Sequence, residues 1–73
     1  MTLDLPDDVG SALVAWTRAT QAADAKWREY LAASDAHDRL ACERIDRDRA
    51  ALAVPVWQAH DALRAAVVRW EQT

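Results

Sequence analysis

The segment LAASDAHD, residues 31–38, decides whether this chain forms one long helix or a hairpin of two helices. It contains no glycine or proline, and the apolar positions on either side are in phase through it, so one uninterrupted helix is an open alternative. However, Ser34 and Asp35 are good N-cap residues, and a lone helix cannot bury its apolar stripe within a monomer. We therefore predict that the chain turns at residues 34–36 and folds as an all-α, antiparallel helical hairpin.

Upstream of this turn, the spacing predicts a first helix over residues 6–33. Pro6 suits a first helical turn because its φ is fixed, and Asp7 and Asp8 are favourable at the positive end of the helix dipole. A mostly apolar stripe points in one direction, which is typical of an amphipathic helix. Its members are Val9, Leu13, Trp16, Thr20, Ala23, Trp27, Leu31 and Ser34.

Downstream of the turn, a second helix is predicted over residues 36–71. Its stripe keeps one direction across Pro55, which favours a kink at residues 51–55 over a chain reversal there. The alternative is that Pro55 opens a third helix, which gives a three-helix bundle. The stripe consists of Ala41, Ile45, Leu52, Val56, Ala59, Leu63, Val67 and Trp70.

The length of 73 residues predicts one domain, residues 1–73, with a thin core. A domain of this size buries only about 60% of the surface of its unfolded chain, so oligomerisation helps to stabilise it. The unequal predicted arms leave the end of the second helix with little cover, and exposed apolar surface of this kind marks an interface. We expect a homodimer with a four-helix arrangement. The residues assigned to self-association are Trp16, Trp27, Leu63, Val67 and Trp70.

Charge and cysteine content give broad expectations about partners and compartment. The net charge is −3 with both signs interspersed, which argues against a general polyanion binder. The one cysteine, Cys42, cannot form an intramolecular disulfide, and the N-terminus lacks the pattern of a signal peptide, so we expect a cytoplasmic protein. The excess of arginine over lysine, with abundant alanine, resembles the coding bias of an actinobacterium or its phage.

Trp57 lies off the apolar stripe and is the main candidate for binding another protein. A large aromatic residue beside an arginine is typical of interface hot spots. The alternative is that a kink at Pro55 rotates Trp57 back into the core. The surface predicted to bind a partner comprises Trp57, Asp61, Arg64 and Val68.

An arginine-rich segment, residues 39–49, supports an alternative function in nucleic-acid binding. Phosphate contacts require cations that are not neutralised by neighbouring acids. Acidic residues at helical spacing accompany these arginines, so a solvated helix face is the simpler interpretation. The candidate phosphate contacts are Arg39, Arg44, Arg47 and Arg49.

Two polar residues, Asp38 and Arg49, fall inside the second stripe. They predict either a helix end at Asp38 with an extended Arg49 stem, or an ion pair between helices or subunits that fixes their register.

The spacing of His37, Cys42 and His60 does not match a metal site, and neither histidine is placed to activate the cysteine. We therefore expect no metal, no cofactor and no enzymatic activity.

These patterns favour a small helical protein–protein interaction module that acts as a regulator, adaptor or inhibitor of another protein. Its expected partners are a second copy of itself and a further protein, with no membrane contact. The alternative is a dimeric nucleic-acid-binding regulator. Salt separates the two, because phosphate contacts weaken steeply with added salt whereas apolar contacts do not.

Overall fold

The computed structural model describes residues 4–73, which form two α-helices packed against each other as a hairpin. Helix α1 is Asp7–Asp35 and helix α2 is Arg39–Glu71. The hairpin measures 53 × 25 × 13 Å along its principal axes. The predicted all-α helical hairpin is confirmed. The expectations about a single domain from residue 1 and about the N-terminus rest in part on residues 1–3, which lie outside the described residues.

Helix α1 begins beside Pro6, close to the predicted start. The Pro6 carbonyl accepts a hydrogen bond of 2.9 Å from the Gly10 N–H, which is the first bond of the helix. Asp7 and Asp8 lie in the first turn, where the helix dipole favours negative charge. The start therefore depends on backbone geometry and charge, since Pro6 makes no side-chain capping bond.

The turn lies at residues 36–38, so the prediction of residues 34–36 was wrong by two positions. His37 has a φ of 55°, in the left-handed region. Its N–H donates to the Ser34 carbonyl at 3.0 Å, and the Asp38 N–H donates to the Ala33 carbonyl at 2.9 Å. These paired bonds form a Schellman motif, which usually has glycine at the left-handed position. Because this chain uses His37 there instead, the sequence lacks the usual signal for the turn.

Asp38 ends the turn and starts α2. Its carboxylate accepts a hydrogen bond of 3.1 Å from the Ala41 N–H, which makes Asp38 the N-cap instead of Ser34 or Asp35. From there α2 continues without interruption through Pro55, so the alternative of a three-helix bundle split at that proline was wrong. A kink at Pro55 stays a prediction.

The contact between the helices follows one line of partly or fully buried residues on each helix, which we call the seam. Successive seam positions alternate between three and four residues apart, the spacing of a two-stranded coiled coil. The α1 seam is Val9, Ala12, Trp16, Ala19, Ala23, Lys26, Tyr30 and Ala33. The α2 seam is Cys42, Ile45, Arg49, Leu52, Val56, Ala59, Leu63 and Ala66.

The seam of α1 differs in part from the predicted stripe. Leu13, Trp27 and Leu31 were members of the predicted stripe, but they are 39%, 43% and 44% exposed. The prediction used the 3.6-residue period of a straight helix, whereas the seam advances by 3.5 residues per turn and drifts across the helix surface. Some of the largest apolar side chains therefore lie beside the contact instead of within it.

Full burial is confined to the two ends of the hairpin. Among residues 4–73 the buried residues are Val9 (3% exposed), Ala66 (1%) and Ile45 (6%). Val9 and Ala66 lie at the open end and Ile45 lies toward the turn. The expectation that the end of α2 is left uncovered was therefore wrong. The helices have 29 and 33 residues, so α1 reaches almost to the end of α2.

Candidate interaction surface

The seam has two flanks with different chemistry. On one flank, which we call the ion-pair edge, Arg69 contacts Asp8 at 3.2 Å and Lys26 contacts Asp48 at 3.4 Å. Both pairs join α1 to α2. The positions between them on this edge are occupied by small or compact residues: Ala15, Ala22, Pro55 and Ala62. The ion-pair edge thus presents charges that are already neutralised within the chain.

Lys26 is the centre of the charge network on this edge. Its Nζ lies 3.0 Å from a Glu29 carboxylate oxygen and 3.4 Å from one of Asp48. The hydrogen bond to Glu29 raises the pKa of Lys26 above its ordinary value, burial partly opposes this rise, and Asp48 adds to it. The ammonium therefore stays charged throughout the neutral range and links the two helices.

The opposite flank, which we call the tryptophan edge, contains a cleft of about 420 Å³. Trp27 of α1 and Trp57 of α2 form its large walls, and Ala53 and Val56 form part of its floor. The complete lining is Ala23, Asp24, Trp27, Arg49, Ala53, Val56 and Trp57. Apolar walls with a few polar groups are the usual composition of a binding cleft.

Trp27 is held in place by its neighbours. Its ring stacks on Tyr30 with the centroids 5.6 Å apart and the planes 9° from parallel. The Arg49 guanidinium carbon lies 4.6 Å from the Trp27 centroid and 5.4 Å from that of Tyr30, within the range of a cation–π interaction. Arg49 also pairs with Asp46 at 3.1 Å. One wall of the cleft is therefore fixed by stacking and charge.

These contacts show where the two polar residues of the α2 stripe lie within one chain, and an ion pair between subunits stays a prediction. Asp38 is a helix cap, as the first interpretation predicted. Arg49 extends its half-buried stem across the aromatic rings to an acid on its own helix, so no ion pair with Asp38 fixes the register within this chain. Sequence reasoning missed Tyr30; its position three residues after Trp27 was the available signal.

Trp57 is exposed, in agreement with the first of the two predictions made for it. Its side chain is 68% exposed, so the alternative that a kink returns it to the core was wrong. Asp61 and Arg64 are also exposed and Val68 is 43% exposed. We call Trp57, Asp61, Arg64 and Val68 the outer α2 face, since their spacing places them on one side of the helix.

The residues assigned to self-association are divided between the seam and its margin. Trp16 and Leu63 are half-buried within the seam, and Val67 is half-buried beside it on the tryptophan edge. Trp27 and Trp70 keep 43% and 41% of their surface exposed. Trp70 lines a small hollow at the open end with Pro6, Asp8, Arg69 and Thr73.

The four arginines of the nucleic-acid alternative do not share one face. At 100° per residue, Arg39, Arg44, Arg47 and Arg49 spread over roughly 220° of the helix surface. Arg39 pairs with Glu43 at 3.3 Å. Asp35, four residues before Arg39, forms no ion pair with it, because the turn separates these residues into different helices. Arg49 is engaged by Trp27 and Asp46, whereas Arg44 and Arg47 are exposed.

Histidine and cysteine side chains are dispersed along the hairpin. His37 occupies the turn, Cys42 is a partly buried seam residue, and His60 is exposed with Nδ1 4.0 Å from Asp61. Within residues 4–73, no three His, Cys, Asp or Glu side chains are grouped in a way that could hold a metal ion. Over the same residues, neither helix has an apolar stretch that could cross a membrane.

Comparison of the chain with protein-family models, with curated proteins and with solved structures gave no match.

Proposed function

We propose that this chain is a small protein–protein interaction module that forms a homodimer and binds a further protein as a regulator, adaptor or inhibitor. The observation that carries the proposal is the distribution of apolar surface. Ten large apolar side chains of the described residues are at least 38% exposed, whereas three residues are buried. Two of the ten exposed side chains, Trp27 and Trp57, lie together around one cleft, and contiguous exposed apolar surface of this kind is characteristic of a surface that another molecule covers.

The outer α2 face is the proposed contact with the further protein. Trp57 offers a large aromatic ring, and Arg64 and Asp61 surround it with both signs of charge. A central aromatic residue with a polar rim is the usual arrangement of an energetic hot spot. The same proposal includes the association of two hairpins into a four-helix arrangement. It also includes a kink at Pro55 and a location in the cytoplasm. The function is binding, without a cofactor or catalysis.

A nucleic-acid-binding regulator is the second candidate, supported by the exposed Arg44 and Arg47. It is the weaker of the two. Arg39 and Arg49 contact acids of their own helix, which reduces the positive charge available to phosphates.

A site-specific photo-crosslinker tests the first candidate. We would place it at Asp61 on the outer α2 face or, as the control, at Arg18, which is exposed on α1. In a bacterial host with a GC-rich genome, we expect a crosslinker at position 61 to give adducts with another protein and one at position 18 to give none. Equal adducts from both positions, or none from either, contradict the proposed face.

A labelled DNA duplex tests the second candidate. If the chain is a protein-binding module, fluorescence anisotropy detects no saturable binding at low salt. Saturable binding that weakens steeply between about 50 and 200 mM salt would favour the nucleic-acid regulator instead.

A further inference from the structure

We propose that a second copy of this chain covers the tryptophan edge, with the two-fold axis passing through the cleft between Trp27 and Trp57. This inference rests on the self-association part of the proposed function and adds the location of the interface. It commits the cleft to one occupant, another molecule of the same sequence.

The exposed area of the chain supports an occupant of this size. The chain exposes 5843 Å², whereas a compact monomer of 8.2 kDa exposes roughly 4500 Å². The excess is therefore about 1300 Å². A stable protein interface buries about 800 Å² on each partner. The surplus is thus enough for one interface of ordinary size.

The distribution of burial places that interface in the middle of the hairpin. Val9 and Ala66 close the open end and Ile45 closes the end near the turn. Between these ends no described residue is buried, and the cleft floor of Ala23, Ala53 and Val56 is only half-buried. Side chains from outside the chain are needed to complete this part of the core.

The position of the cleft suits a two-fold axis. Gln21 lies midway along α1 and Pro55 lies midway along α2. Ala23 and Ala53, which line the cleft, lie within one helical turn of these midpoints. A two-fold axis at this point places the two hairpins side by side along their full length, which gives the largest shared area. Two-fold symmetry also limits the association to two copies. An axis near either end would leave half of each hairpin uncovered.

Size and charge are self-complementary about this axis. Small alanines at the cleft centre leave room for the large rings of Trp27 and Trp57 from the other copy. Asp24 and Arg49, which also pairs with Asp46, both line the cleft, so a two-fold operation can bring the acid of one copy near the Arg49–Asp46 pair of the other. On the ion-pair edge, Asp8 and Arg69 already contact each other within one chain.

This arrangement places Trp57 on the border between two surfaces. One side of its ring lines the cleft and is covered in the dimer, and the rest of this largely exposed side chain stays on the outer α2 face. Asp61 and Val68 lie further around α2, away from the cleft lining, and remain accessible to the further protein. The dimer and the binding of that protein can therefore be separated by mutation.

Sedimentation or light scattering over a concentration series tests the dimer. We expect the parent to be dimeric and Trp57→Ala to raise the dissociation constant roughly a hundredfold, since the ring is lost from both copies. The control is Val54→Ala, an apolar truncation at a 48% exposed position on the side of α2 opposite the seam, which should leave the constant unchanged. Circular dichroism verifies that both variants keep their helices, as expected from the exposure of both side chains.

Crosslinking locates the axis independently. A photo-crosslinker at Asp24, in the cleft lining, should give a covalent homodimer, whereas one at Ala22, exposed on the ion-pair edge, should not. A parent that stays monomeric, a dimer that Trp57→Ala leaves intact, or a homodimer crosslinked only through Ala22 would each overturn the inference. Adducts of other proteins at Asp61 would still support the second part of the proposed function, the binding of a further protein, in those cases.

Discussion

The ion-pair edge and the tryptophan edge flank the same seam but complete its packing differently. On the first, Asp8, Lys26, Asp48 and Arg69 find their partners within the chain, between alanines that need little cover. On the second, large rings and aliphatic side chains remain exposed around a cleft. One edge is therefore complete in the monomer, and the other is the edge that we propose a second copy covers.

The largest expected effect comes from the seam that both edges share. Ile45→Ala should lower the free energy of unfolding by about 2–4 kcal/mol, because it leaves a cavity at one of the buried positions. Urea denaturation measures it. Leu40→Ala, at a position that is 78% exposed, is the control and should stay within about 0.5 kcal/mol of the parent. Similar losses for both variants would show that the seam does not hold the helices together.

The tryptophan edge gives the next effect. Trp27→Ala should cost about 1–2 kcal/mol of stability at concentrations where the chain is monomeric, since stacking on Tyr30 and the contact with Arg49 are lost. Trp57→Ala should cost less than about 0.5 kcal/mol under the same conditions, because its ring is mostly exposed. A double-mutant cycle of Trp27→Ala with Arg49→Met measures the cation–π coupling. No coupling would mean that this wall of the cleft is not fixed by Arg49.

The turn determines how the edges face each other and has an effect of about 1 kcal/mol. Asp38→Ala should destabilise the protein by about that amount, because the Ala41 N–H loses its capping acceptor. Asp38→Asn keeps an acceptor and should recover most of the loss. Thermal unfolding of the two variants compares them. Equal destabilisation would assign the effect to the negative charge instead of the cap.

The ion-pair edge should contribute less. A double-mutant cycle of Asp8→Ala and Arg69→Ala should give a coupling of at most about 0.5 kcal/mol, since both side chains are more than a third exposed and water screens the charges. The coupling should decrease further in 0.5 M salt. A coupling above about 1 kcal/mol would make this edge a main source of stability and weaken the contrast with the tryptophan edge.

The smallest effect concerns the pH dependence of the Lys26 network. The pKa of Lys26 is raised on folding above its ordinary value of 10.5, so its stabilising contribution is complete below that value and is lost as the pH rises through the folded pKa. The stability difference between the parent and Lys26→Gln should therefore be larger at pH 8 than at pH 11. The other titratable groups are the same in both proteins, so their contributions to the pH dependence of stability cancel in the difference. If this stability difference does not change with pH, the ion pairs of Lys26 do not contribute to stability.

The sequence predicted the helices well and their contact face less well. Proline, the acidic first turn and the apolar stripes located α1 and α2. The turn was displaced because His37 adopts a conformation that usually requires glycine, and composition does not reveal that choice. For Trp57 the sequence left two alternatives open, an exposed position off the stripe and a position in the core. The cleft that joins it to Trp27 was not predictable, since the register of two helices depends on the turn and a shift of two residues changes every pairing across the seam.

The separation of the buried residues also has a consequence for folding kinetics. Contacts near the turn, such as those around Ile45, close a short loop, whereas Val9 and Ala66 meet only after nearly the whole chain has been ordered between them. Helical hairpins with mostly local contacts fold rapidly, so we expect the contacts between the helices to form first near the turn and then progressively toward the open end. Opening should follow the reverse route, and amide hydrogens in the first turn of α1 and the last turn of α2 should exchange before those beside Ile45.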